Sequence, residues 1–164
     1  MAKNSKKKQA EQKVQRYFTI AKIFLAMTPC IAYLYISLRA SMLSMSMQEL
    51  LETMPSVTII FLVAMINAFV AYLLHVMQNK LLHGQTEFVC INMTLLFIAQ
   101  LIIGNVIFAF MFAWILYVIV TTYQINIKQI LKQKILKKVV TDGGVSLVVL
   151  FFSSVSLFAT IRIM

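Results

Sequence analysis

A chain of 164 residues that is 61% hydrophobic and only 12% charged, with a mean hydropathy of +0.87, is not a soluble domain. Its net charge of +10 arises from fifteen Lys and Arg against five Asp and Glu. No aromatic interleaving or nucleic-acid-binding pattern accompanies that charge, so no nucleic acid is expected as a partner.

The chain opens with Lys3, Lys6, Lys7, Lys8, Lys13 and Arg16, a basic tail (1–16) that the positive-inside bias holds in the cytoplasm. A first apolar run follows at about 17–38. It is too long for the core of a signal peptide and lacks a cleavage site within reach, so it reads as a retained span. Lys22 lies near its start, where its stem can snorkel to the surface. Thr28-Pro29 falls in mid-span, where proline frees a carbonyl. Ser41 to Met54 has helical periodicity, with Leu43, Met47, Leu50 and Met54 on one stripe, and is expected to lie on the outer surface. Met42, Met45, Met47 and Met54 offer soft thioethers of the kind Cu(I) takes, but adaptable apolar packing is the commoner use of Met.

Pro55 opens the second span, about 55–77, which contains Asn67 and His75. The run from Phe88 to Val120 is too long for one crossing and tight for two. Gly104-Asn105 near its middle is turn chemistry, so the run reads as a hairpin of two short spans, 87–103 and 105–123. Asn92 and Gln100 sit in the first of these and are expected to hydrogen-bond between helices. Phe108, Phe110, Phe112, Trp114 and Tyr117 crowd the second.

Residues 124–142 read as a basic amphipathic helix on the cytoplasmic surface. Lys128, Lys132, Lys134, Lys137 and Lys138 cover one side of it and suit anionic lipid or an acidic partner. The last span, 145–163, carries Ser146, Ser153 and Thr160 at seven-residue steps, a small-residue seam for helix packing. Five crossings leave both Lys clusters and Lys80 inside and only Arg39 and Arg162 outside. Four would export the second cluster. The expected fold is an all-α five-helix transmembrane bundle, N-terminus in and C-terminus out, with two amphipathic surface segments.

Chemistry is sparse. No phosphate loop, zinc spacing or Ser/His/Asp pattern occurs, and no residue set is suited to hold a cofactor or metal. Cys30 and Cys90 are expected to be buried thiols. His83 precedes Cys90 by seven residues on the inner side, and a Cys–His couple can make a nucleophile. In outline this resembles the accessory gene regulator B peptidases, membrane enzymes that process autoinducing peptides in Gram-positive bacteria. That family also places a Cys seven residues after a His, followed by two spans and a basic loop. The resemblance would make Cys90 the nucleophile and His83 its base. The family has Arg and a Gly-Gly pair ahead of its His, whereas this chain reads Asn79-Lys80-Leu81-Leu82-His83, and its inner basic segment lacks the family's proline.

The leading expectation is a non-enzymatic accessory or regulatory subunit in a bacterial plasma membrane. Its partners would be anionic lipid at the cytoplasmic face and another membrane protein or a second copy. The alternatives are a His83/Cys90 peptidase and a stand-alone pore or bacteriocin-immunity protein.

Overall fold

The computed structural model describes residues 2–125 and 143–163. Among these, six helices and no strand occur: α1 Ala2–Met42, α2 Met47–Thr53, α3 Pro55–Leu82, α4 Thr86–Ile103, α5 Val106–Tyr123 and α6 Gly144–Ile163. All but α2 are long and apolar enough to cross a membrane. The expected basic helix at 124–142, with all five of its lysines, lies almost wholly outside the described residues.

The tail expected as a separate basic segment is instead the start of α1. This helix runs 41 residues, about 60 Å at 1.5 Å per residue and twice the thickness of a bilayer core. Its buried residues follow three-and-four spacing through Val14, Phe18, Ala21 and Leu25 and resume at Ala32, Ile36 and Ala40. Ile23, Phe24, Ile31 and Leu38 cover the opposite face and are exposed, as a lipid-facing surface requires. Pro29 cannot donate to the Leu25 carbonyl. The hydroxyl of Thr28 does so in its place, at 2.7 Å, and keeps the helix continuous.

Left-handed residues close four of the helices. Gly84 ends α3 and Gly104 ends α4, at φ of 78° and 80°. In each the following N–H reaches back to the carbonyl five residues earlier, Gln85 to Lys80 and Asn105 to Gln100. Ser44 after α1 and Gln124 after α5 adopt the same conformation with a side chain attached. The hairpin expected at Gly104-Asn105 therefore forms where turn chemistry places it.

One core, built from α1, α3, α4, α5 and α6, includes Phe18, Leu74, Met93, Phe112 and Val149. A second, smaller cluster of Ile36, Ala40, Leu50 and Val57 closes the other end. There α2 lays Met47, Leu50 and Met54 against α1 and α3. The surface helix expected over Ser41 to Met54 is thus shorter, because α1 continues to Met42 and the chain turns before Ser46 caps α2.

The bundle has two unlike ends. Lys80, the start of α1, the end of α5 and the start of α6 share one. Arg39, α2 and Arg162 lie toward the other. Hydrogen bonds fix the register between them: Gln100 pairs with Asn67, and Thr28 Oγ1 lies 3.5 Å from Ala64 O. From Asn67, α3 continues twelve residues to Pro55, whereas from Gln100 the chain turns after four, at Gly104. At 1.5 Å per residue the α4–α5 hairpin stops about 12 Å short of the end of α3.

Candidate functional site

Several polar side chains of the spans pair across helices, while most of the Ser and Thr hydroxyls bond to carbonyls of their own helix. Gln100 Nε2 donates to Asn67 Oδ1 at 3.0 Å, joining α4 to α3. Ser146 Oγ donates to Asn92 Oδ1 at 2.6 Å, joining α6 to α4, and Asn92 Nδ2 donates to the Phe88 carbonyl. All four residues are buried. Asn92 and Gln100 serve different neighbours because eight residues advance a helix about 80° beyond two full turns. The same rotation separates Asn67 from His75: Asn67 is buried, while His75 is exposed beside Asn79. Gln100 Oε1 is buried and finds no partner among the described residues.

A second polar chain crosses from α1 to α3 near the Lys80 end. Lys22 Nζ donates to Gln78 Oε1, and Gln78 Nε2 donates to Gln15 Oε1 at 2.6 Å. Lys22 is therefore held by an amide of the neighbouring helix as well as being near the surface. The sequence reading passed over Gln15 and Gln78. The available signal was the seven-residue step from Gln15 to Lys22, two turns along one face.

The seam on α6 divides. Ser146, Ser153 and Ser156 are buried where α6 packs on α3 and α4, and Thr160 is half-buried with its hydroxyl on the Ser156 carbonyl. The hydroxyl of Ser153 donates to its own helix at Val149. Of the aromatic residues on α5, Phe112 is buried in the core, while Phe110, Trp114 and Tyr117 face outward.

His83 and Cys90 fall on the two sides of the α3–α4 turn. His83 is exposed, and its Nδ1 lies 2.8 Å from the Asn79 carbonyl, so that nitrogen carries the proton. Cys90 is buried in the main core. Among the described residues no hydrogen bond joins the two. Cys30, expected to be buried, is exposed, because it lies on the outward face of α1 between Met27 and Ile31. The methionines diverge as well: Met42 projects from the surface, while Met47 and Met54 pack against the small cluster. Among the described residues no group of three His, Cys, Asp or Glu converges as a metal site would need.

Above the short α4–α5 hairpin lies a cleft of about 400 Å³. Ile31, Ala32 and Tyr35 of α1 form one wall, and Ile60, Val63 and Ala64 of α3 another. Asn105 and Phe108 of the hairpin stand beneath, with Thr28 and Asn67 at the same depth. One turn beyond Tyr35 on α1, Arg39 Nη1 donates to the Tyr35 hydroxyl at 2.6 Å, and the guanidinium stands 6.0 Å from the centre of that ring. Nothing in the residue pattern announces this cleft, because it follows from the relative register of three helices.

Comparison with protein-family models, with curated proteins and with solved structures finds no match to this chain.

Proposed function

We propose that this is a multi-pass protein of a bacterial plasma membrane, with its N-terminus in the cytoplasm and its C-terminus outside. In that membrane it acts as a non-enzymatic accessory or regulatory subunit of a larger assembly. The one-ended distribution of charge supports the orientation, and the projecting start of α1 supports the subunit role. The basic start of α1, Lys22 and Lys80 all belong to one end of the bundle. The segment with Lys128, Lys132, Lys134, Lys137 and Lys138 departs from that end at Ile125 and returns to it at Gly143. Arg39 and Arg162 are toward the other end. The positive-inside bias then favours one orientation.

Geometry adds a docking element. Gln15 of α1 meets Gln78 of α3, and α1 extends thirteen residues beyond that point whereas α3 extends four. The N-terminal part of α1 therefore projects about 14 Å past the end of α3. Val14 and Phe18 root this arm in the core. A rooted basic helix suits an acidic surface, either anionic headgroups or a partner subunit. The buried amides Asn67, Asn92 and Gln100 are engaged in joining helices, which fits a structural role better than a chemical one.

The test is purification of the tagged chain from its native membrane in mild detergent, with mass spectrometry of what accompanies it. A stoichiometric membrane partner, lost when Lys3, Lys6, Lys7 and Lys8 are changed to Gln, is the expected result. A chain that emerges alone and unchanged by those substitutions overturns the subunit reading.

A further inference from the structure

We propose that the cleft above the α4–α5 hairpin is a phospholipid site, which takes one acyl chain between α1 and α3 and the anionic phosphate at Arg39. The leaflet involved, the outer one, rests on the orientation proposed above; the site itself does not.

The hairpin creates the need for an occupant. Because α4 and α5 turn at Gly104 while α1 and α3 run on, the bundle loses two helices over its last 12 Å or so. The space they leave is the cleft. Its walls are largely apolar, with Ile31, Ala32, Ile60 and Val63, and it is open where Ile31 and Ile60 are exposed. A volume of about 400 Å³ falls within the usual range for a bound small molecule. Water would find few partners along such walls, whereas a hydrocarbon chain matches them.

Depth gives a second argument. From Thr28, level with the hairpin, to Arg39 is eleven residues of α1, about 16 Å. Between the hairpin and Arg39 there is thus about 16 Å of α1 along which an acyl chain can lie.

Charge selects the headgroup. A guanidinium has five N–H donors, of which the Tyr35 hydroxyl engages one. No carboxylate lies within 4 Å of Arg39 among the described residues. The nearby acids are engaged within the segment that follows α1: Glu49 accepts from the Ser46 N–H and Glu52 accepts from Gln48. The Arg39 guanidinium held by Tyr35 thus retains its remaining donors among the described residues, which suits bidentate contact with phosphate.

The experiment is native mass spectrometry of the chain after reconstitution into nanodiscs of equal phosphatidylglycerol and phosphatidylcholine with identical chains. The wild-type protein should retain one lipid, with phosphatidylglycerol favoured at least tenfold. Arg39→Gln should abolish the preference, while Arg162→Gln, at the same end but outside the cleft, should preserve it. Val63→Trp should fill the cleft and expel lipid of both kinds. Ile60→Trp, at a more exposed wall position, gives a second filled cleft, and size exclusion selects the variants that remain monodisperse. Retention unaffected by both cleft-filling changes overturns the proposal, as does an equal loss of preference in Arg39→Gln and Arg162→Gln. Because the discs present the same lipids on both sides, a reversed topology would leave this result standing while sinking the orientation proposed above.

Discussion

The two ends of this bundle are built from the same kinds of residue but hold together differently. Toward Lys80, five helices enclose a continuous core in which Phe18, Leu74, Met93 and Phe112 are fully or almost fully buried. Toward Arg39, α1 and α3 continue with only α2 and the end of α6 for company, and Ile60 is 41% exposed. The difference teaches that apolar content does not locate a core in a membrane protein. Lipid is as apolar as leucine, so enclosure by other helices decides what a side chain contributes.

Substitution should expose that contrast most strongly through packing. Phe112→Ala at the closed end should cost about 2 kcal/mol. That is less than the ~3–5 of a soluble core, because lipid replaces water as the reference for the unpacked ring. Ile60→Ala beside the cleft should cost less than ~0.5 kcal/mol, since it leaves space where space already exists. Thermal unfolding followed by size exclusion in one detergent reads both. Equal losses would mean that the ends are packed alike, and the cleft would then be closed in the protein as it exists in solution.

The next effect concerns the amide pair where the two regions meet. Asn67→Leu alone leaves both polar atoms of the Gln100 amide buried without a partner and should cost about 1–3 kcal/mol. The double change Asn67→Leu, Gln100→Leu removes the stranded amide as well and should return to within ~1 kcal/mol of the wild type. Gln100 Oε1 has no partner among the described residues, which tilts the double variant toward the favourable side. A double variant as unstable as the sum of the singles would show that the two amides act separately.

Much of this architecture is legible before any coordinates, and the reasons are physical. A bilayer sets a length near 20 residues, so five helices long and apolar enough to cross it declare themselves, and Gly104 declares the hairpin because positive φ suits glycine. The helical arm was missed because Lys3 to Lys8 read as a tail. Yet Val14 and Phe18 already continue the spacing of Ala21 and Leu25. The capping box of α2 also stood in the sequence, as Ser46 followed three residues later by Glu49. Which amide meets which helix was not legible, since an eight-residue spacing points its members to different neighbours. The cleft was still less so. It needs the register of α4 against α3, and the single bond from Gln100 to Asn67 supplies that only once the chain is folded.

The smallest effect lies at the open end, in the helix that closes it. Glu49 accepts the Ser46 N–H at 2.8 Å, while the Glu49 N–H is held by the Ser46 hydroxyl at 3.2 Å. The Ser46 N–H that the carboxylate accepts favours its ionised form most, and with the Ser46 side chain beside it holds the Glu49 pKa below its ordinary 4.5. A depressed folded-state pKa means that the cap contributes fully above the unfolded value and is lost as pH falls through the folded one. Carboxylate carbon NMR in micelles should therefore place the Glu49 midpoint below 4.5. Ser46→Ala should move it back up and loosen the protection of the first α2 amides. A midpoint at or above 4.5 in the wild type would mean that the box is open in solution. Apolar packing of Met47, Leu50 and Leu51 would then anchor α2 over the Ile36–Val57 contact without the cap, and the open end of the bundle would be looser still than its packing indicates.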